Sequence, residues 1–373
     1  MNKTEPQAAP CLFALDRYDP AWAMRPIWEG DTVYNESLLM VESATGEIRA
    51  PLLYYPGDII SVRDVTLQKT YAEGVDWEIR DGWLCRLPGS SLPYLPYQEF
   101  FCPGEEGEFV MHLESGGRMI VNFPSYFYRG LVSVTYTHPY PWRWEKPAFK
   151  GNLLPQTLQK LRDRQPVTVV FYGDSVTCGD DVSGKSGTAP HTPTWAEMAA
   201  EQLRTAYGGP VELINNALGG TGSDWGIANA AERVAAPRPD LAVIGFGAND
   251  RIPPEEYRRN IETILEIVRR DSPHTEFILV DPMTPNRWVA KQDGYRWYVL
   301  QDRFAEQHRL MEGTGVAVLE TMKIHHHLRE VKRFWDLSAN NINHPNDFLY
   351  RVMAQCCAAL LIPAFGSLLE GNP

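Results

Sequence analysis

The pattern of apolar and polar positions changes once along this chain. Up to about residue 145 the apolar residues fall in short runs. They are Leu38-Leu39-Met40-Val41-Glu42, Ile59-Ile60-Ser61-Val62, Trp77-Glu78-Ile79 and Met119-Ile120-Val121-Asn122-Phe123. A fifth run, Leu131-Val132-Ser133-Val134-Thr135-Tyr136-Thr137, alternates as a half-buried strand does. Pro56-Gly57-Asp58, Arg80-Asp81-Gly82 and Ser115-Gly116-Gly117 punctuate the runs as turns. Short strands spaced by such turns predict an all-β sandwich or jelly-roll domain over 1–145.

From about 150 the pattern becomes strand–helix alternation. Strands are predicted near 167–172, 211–216, 240–246, 275–281 and 315–319. Between them lie helical repeats such as Trp195 to Leu203 and Glu255 to Leu265, and a last helix is predicted over about 346–362. This alternation predicts a second, α/β domain over 150–373, with a parallel sheet covered on both faces. The stretch His138-Pro139-Tyr140-Pro141-Trp142-Arg143-Trp144 joins the halves. Its aromatic content is wrong for a flexible linker, so it is expected to pack between the domains. The aromatics of Tyr94-Leu95-Pro96-Tyr97 and Tyr126-Phe127-Tyr128 are expected to fill the sandwich core or the domain interface in preference to stacking on sugars.

Composition narrows the function. The net charge of −12 argues against a nucleic-acid partner, because phosphate binding needs Lys and Arg, and it disfavours anionic membranes. No apolar run approaches the roughly 20 residues that span a bilayer. The segment Met1 to Gln7 lacks the charged-then-apolar order of a signal peptide, which makes a cytoplasmic location the expectation. Six cysteines, Cys11, Cys85, Cys102, Cys178, Cys356 and Cys357, form no Cys-x-x-Cys pair and read as reduced structural thiols. No cofactor is expected.

Chemistry enters at the ends of the predicted strands. Val167 to Phe171 runs into Gly173-Asp174-Ser175, a turn that lifts one hydroxyl to the C-terminal edge of the sheet, where open α/β sheets bind ligands. Three later segments reach the same edge. Ile214 to Ser223 carries Gly219-Gly220, whose backbone N–H groups can face a developing negative charge; it lacks the Gly-Lys-Ser/Thr ending of a phosphate loop. Val243 to Asp250 ends in Gly247-Ala248-Asn249-Asp250, where Asn249 can offer an amide to that charge or cap a helix. Asn340 to Asp347 places His344 in a polar loop. Together Ser175, His344, Gly220 and Asn249 supply a nucleophile, a base and two donors for acyl transfer.

These four blocks, in this order over roughly 165–365, resemble the SGNH (GDSL-like) hydrolase superfamily. The resemblance implies a flavodoxin-like three-layer α/β/α sandwich and serine-dependent ester hydrolysis. It also implies an oxyanion hole built from the Ser175 and Gly220 N–H groups and the Asn249 amide. The chain departs from the family at one position: Asn341 stands three residues before His344, where the family has Asp. An amide can orient an imidazole but cannot stabilise imidazolium by charge. The sequence leaves open a Ser175–His344 dyad steered by Asn341 or by a backbone carbonyl, and Asp336, the nearest upstream acid, as orienting group. Asp347, just after the histidine, reads as a helix cap.

Two other signals read as structural. His325-His326-His327 point different ways on a helix and imply no metal. Glu255, Glu256, Arg258 and Arg259 form a solvated helix face. A β-sandwich ahead of such a hydrolase resembles bacterial carbohydrate esterases, so the expected substrate is a small-molecule or oligosaccharide ester, with an O-acetyl group removed from a sugar. The alternatives are a lipase- or thioesterase-like hydrolase of longer acyl esters, and a carbohydrate-binding protein whose hydrolase half has decayed.

Overall fold

A computed structural model describes residues 20–104, 110–113, 116–121, 124–290 and 299–366. The first half contains β1 (Thr32–Leu39), β2 (Arg49–Pro51), β3 (Ile59–Asp64), β4 (Trp77–Arg80), β5 (Trp83–Arg86), β6 (Val110–His112), β7 (Arg118–Ile120) and β8 (Leu131–Thr137). They pair antiparallel as β1-β8-β3, β2-β5-β4 and a β6-β7 ribbon. Val33, Leu38, Val62 and Val134 of the first sheet share one apolar cluster with Ala50, Trp77 and Leu84 of the second. Only part of the pattern was visible in the sequence. β1 begins six residues before the predicted Leu38, β2, β5 and β6 were not among the predicted runs, and residues 122–123 of the predicted Met119–Phe123 strand lie outside the described residues.

β8 has the alternation of a half-buried strand, yet Ser133 and Thr135 are buried as well. Its polar face is turned to the other half of the molecule. Ser37 of the neighbouring β1 accepts from Asn346 Nδ2 at 3.0 Å, and Ser133 shares a cleft with Phe348 and Arg351.

The second half is a five-stranded parallel sheet of β9 (Val167–Gly173), β10 (Val211–Asn215), β11 (Leu241–Gly245), β12 (Glu276–Val280) and β13 (Val316–Leu319). Its order is β10-β9-β11-β12-β13, the doubly wound order of flavodoxin-like folds. Successive residues point to opposite faces. Val170, Tyr172, Ala242, Ile244 and Phe277 pack on Tyr257, Ile261, Ile264 and Val268 of the helix Pro254–Asp271. Val169, Phe171, Val243 and Ile278 join the cluster that holds the helices Trp195–Tyr207 and Asp347–Leu361. The strand order reverses between β9 and β11, so a crevice opens at their C-terminal ends.

The two halves share a core. Asp347–Leu361 is almost wholly buried because it has the sheet on one side and the β domain on the other. Lys332 Nζ, buried, pairs with Glu36 and donates to Pro51 O at 2.8 Å, while Glu36 also accepts from Tyr136 at 2.6 Å and from Leu53 N at 3.0 Å. In the connector, Trp142 is buried and Trp144 stacks on His327. Tyr126 and Phe127 pack with Phe100 and with Trp335 of the second half. Among the described residues no helix is long and apolar enough to cross a membrane.

Candidate active site

The serine turn is built at the β9–β11 junction. Gly173 pairs with Gly245, and a Cβ on Gly173 would lie 1.9 Å from Gly245 O, so only glycine fits. Asp174 N donates back to Gly245 O at 3.0 Å and the chain turns into the short helix Ser175–Cys178. The buried Asp174 carboxylate accepts from Val176 N at 3.0 Å and from Ala248 N at 3.1 Å. One side chain thereby ties the serine turn to the loop that carries Asn249. Burial pushes its pKa up to about 7, against the pull of those two N–H bonds. Ser175 sits at the first helical position, where the N–H has no intrahelical acceptor.

The histidine comes from a loop folded around one side chain. Asn340 Oδ1 accepts from the N–H groups of Ile342 at 2.9 Å, Asn343 at 3.0 Å and His344 at 3.0 Å. His344 O accepts from Ala339 N and from Ser338 Oγ, each at 2.9 Å. The ring then lies with Nε2 2.8 Å from Ser175 Oγ and Nδ1 2.6 Å from Asp181 Oδ2. A carboxylate at Nδ1 sets the tautomer: Nδ1–H donates to Asp181, and Nε2 accepts from the serine hydroxyl.

Gly219, Gly220 and Asn249 complete the edge. A Cβ on Gly219 would stand 3.7 Å from Ser175 Cβ and 2.5 Å from Asp180 Oδ2, so the glycine loop backs directly onto the serine. Gly220 is exposed with φ +78°, a left-handed conformation that glycine adopts freely. Among the described residues no acceptor takes its N–H. Asn249 Nδ2 donates one proton to Thr221 O at 3.0 Å, which leaves its second proton for another acceptor.

Neither expected orienting residue touches the His344 ring. Asn341 is fully buried behind the loop, where its Nδ2 donates to Ile120 O at 3.1 Å and its Oδ1 accepts from Asn286 at 3.0 Å. Its left-handed φ of 57° turns the side chain toward the β6-β7 ribbon. Asp336 is buried at the domain interface, accepting from Leu39 N at 3.0 Å and from Arg333 Nη2 at 2.8 Å. The cap of the last helix is Asn346, which accepts from Leu349 N at 3.1 Å. Asp347 instead accepts from Ser183 N at 2.9 Å and Ser183 Oγ at 2.5 Å.

Asp181 is the group that sequence reasoning missed. It follows Gly179, which ends the serine helix in the left-handed region and returns the chain to the sheet edge. Asp181 itself has φ 68°, a conformation that Asp tolerates better than most residues. A Gly-Asp-Asp sequence one helical turn beyond a nucleophile was the available signal. His325, His326 and His327 diverge: the first is buried, the second lies 3.8 Å from Asp302 and the third stacks on Trp144. Cys85, Cys102, Cys178, Cys356 and Cys357 are free, and Cys11 lies outside the described residues.

Residues 171–352 match the model of the GDSL-like Lipase/Acylhydrolase family. Among solved structures, the chain is similar to a two-domain esterase active on acetylated mannans, co-crystallised with mannopentaose. That match has 18% identity and a TM-score of 0.44 and covers 61% of this chain. This chain spans 55% of that esterase's length. It is also similar to an acetylxylan esterase from Geobacillus stearothermophilus, with 16% identity, TM-score 0.42 and coverage of 51% of this chain and 91% of that one. A third similar structure is a putative GDSL-like lipase from Parabacteroides merdae, with 19% identity, TM-score 0.42 and coverage of 52% and 95%. No curated protein matches. The stretch that matches the GDSL-like Lipase/Acylhydrolase family lies in the α/β half of this chain, runs from within β9 to past β13 and carries all four blocks.

Proposed function

We propose that this chain removes a small acyl group, an O-acetyl, from a carbohydrate ester, with Ser175 as nucleophile, His344 as base and Asp181 as the third member. The observation that carries the reading is the pair of contacts on one imidazole, 2.8 Å to Ser175 and 2.6 Å to Asp181. His344 Nε2 takes the hydroxyl proton as Ser175 Oγ bonds to the ester carbonyl carbon. The oxyanion is met by the N–H groups of Ser175 and Gly220 and the second Asn249 amide proton. Asp181 stabilises the imidazolium that forms. The C–O bond to the sugar then breaks, and His344 gives its proton to the departing sugar oxygen, which leaves as a hydroxyl. Water repeats the sequence on the acyl-serine and releases the acid.

The surroundings favour a short acyl group and a polar alcohol. Polar groups and glycine surround Ser175: His344 Nε2 lies 2.8 Å from its Oγ, Asp180 N donates to its carbonyl at 2.9 Å, and Gly219 backs onto it, with Leu218 exposed on the same loop. Long acyl chains need an extended apolar wall. An acid at Nδ1 also removes the motive for a decayed hydrolase. The test is a panel of p-nitrophenyl acetate, butyrate and octanoate beside acetylated xylo- and manno-oligosaccharides. Acetate and oligosaccharide turnover with little octanoate turnover is expected. A preference for octanoate would replace this reading with the lipase one, and inactivity on every ester would refute hydrolysis.

A further inference from the structure

Behind the Asn249 loop lies a buried side-chain chain that the proposed reaction does not use. Tyr257, in the helix Pro254–Asp271, donates its hydroxyl to Phe246 O at 2.9 Å. His308 Nε2 lies 3.0 Å from that same hydroxyl, and His308 Nδ1 lies 3.2 Å from Asp281 Oδ1. Arg309 reaches the second Asp281 oxygen at 3.2 Å. Tyr257, His308 and Asp281 are each at most 1% exposed. A phenol has one proton, and here the carbonyl of Phe246 takes it. The His308 ring fills the space between the phenol oxygen and the Asp281 carboxylate, with one nitrogen in hydrogen-bond reach of each. Burial holds the Tyr257 phenol well above its ordinary pKa, so the proton stays on the oxygen.

The next two carbonyls are held as well. Gln301 Nε2 lies 3.4 Å from Gly247 O and 3.5 Å from Ala248 O, while Gln301 Oε1 has no partner among the described residues. A fully buried amide that leaves its oxygen unmatched carries a desolvation cost. Turning it over would set that oxygen against two carbonyls. The loop requires such support. Gly247 has φ +121°, and a Cβ there would sit 2.6 Å from Pro282 Cγ. Three successive carbonyls are thus fixed from behind, while Asp174 fixes Ala248 N from the serine side.

We infer that Tyr257, backed by His308 and Asp281 and joined by Gln301, is a positioning residue of the oxyanion hole: it fixes the Phe246–Ala248 carbonyls so that Asn249 presents its amide to the reacting carbonyl oxygen. The inference rests on the role proposed above for Asn249. Preorganised donors stabilise an oxyanion because they need not move during reaction, and small displacements of a catalytic group are costly. The phenol acts through Asn249, so its loss matters only while Asn249 is present.

The experiment is a double-mutant cycle on acetyl ester hydrolysis. Asn249→Ala should lower kcat by about 10²–10³ with little change in KM. Tyr257→Phe, which keeps the ring stacked on Phe304, should lower kcat roughly tenfold with KM unchanged. The double variant should be no slower than Asn249→Ala alone. Gln301→Met serves as a second probe and should show the same dependence, so a poorly folding Tyr257 variant does not end the test. Normal kcat in Asn249→Ala would refute the Asn249 assignment itself. A slow Asn249→Ala with a fast Tyr257→Phe, or losses that multiply in the double variant, would overturn only the positioning role.

Discussion

The serine side of the site and the histidine side are held by different means. Ser175 and Asn249 leave the ends of two paired strands, β9 and β11, whose register Gly173 and Gly245 fix by direct backbone contact. His344 and Asp181 come from loops 163 positions apart in the chain, and side-chain hydrogen bonds hold both. Asn340 shapes the histidine loop. Asp347 and Tyr350 of the last helix hold the acid loop, the first through Ser183 and the second by donating to Asp180 O at 2.8 Å. Tyr128 of the β domain also reaches Asp347, at 3.5 Å. The sheet edge places a nucleophile with few polar side chains; the loops need several, some of them remote from the chemistry. Substitutions of distant polar residues should therefore damage the histidine side more than the serine side.

The strongest test of the serine side is Ser175→Ala. Removing one oxygen should reduce kcat by on the order of 10⁶ while the thermal midpoint stays near wild type. A fluorophosphonate should label the wild type at Ser175 and leave the variant unlabelled. On the histidine side, Asp181→Asn should lower kcat by about 10⁴, the loss expected when the partner of Nδ1 loses its charge and favours the wrong tautomer. Substantial turnover in Asp181→Asn would mean that a dyad suffices and that the contact is incidental.

This difference also governs what could be read in the sequence. Gly173, Ser175, Gly220 and Asn249 occupy strand ends, so hydrophobic runs and turn residues pointed to them directly. The doubly wound sheet was legible for the same reason, through β9 to β13. The acid was not. Its pairing with His344 depends on how the loop after Gly179 is pinned by Asp347, and no local pattern encodes a contact between residues so far apart. Asn341 and Asp336 were nearer in sequence, but both are committed to packing against the β domain. The alternation of β8 reads as a half-buried strand, and the burial of Ser133 is not legible there because Phe348 and Arg351, which share its cleft, lie more than two hundred residues later.

A smaller effect should follow from loosening the acid loop without touching Ser175, His344 or Asp181. Asp347→Asn weakens the grip on Ser183, two residues beyond Asp181. A shift of about 1 Å in a positioned group costs up to about 10²-fold in rate, so kcat should fall roughly 10- to 100-fold with KM little changed. An equal substitution on the serine side, away from Asp174 and from the Tyr257 and Gln301 support of the Asn249 loop, should show no such leverage. If Asp347→Asn keeps full kcat, the acid loop is held by Tyr350 alone and the contrast between the two sides narrows.

The smallest catalytic effect belongs to the two residues first expected to steer the histidine. Asn341→Asp puts a charge in a fully buried site and deletes the donor to Ile120 O, so it should lower stability and leave kcat of the folded enzyme unimproved. Asp336→Asn should leave kcat within about twofold. It should cost about 3–5 kcal/mol of stability, because Arg333 and Lys332 lose a buried counter-charge. The pH dependence separates this from a catalytic role. Burial alone would raise the Asp336 pKa, but Arg333 and Lys332 outweigh it and hold the carboxyl below its ordinary value. The unfolded chain then binds more protons than the folded one as pH approaches about 4, so this contribution is complete above the unfolded pKa and is lost as pH falls through the folded one. Denaturant melts from pH 3 to 7 should show the Asp336→Asn deficit largest at neutral pH and shrinking toward acid, while kcat at pH 7 stays near wild type. A variant that keeps its stability but loses turnover would return Asp336 to the active site and make the Asp181 contact secondary.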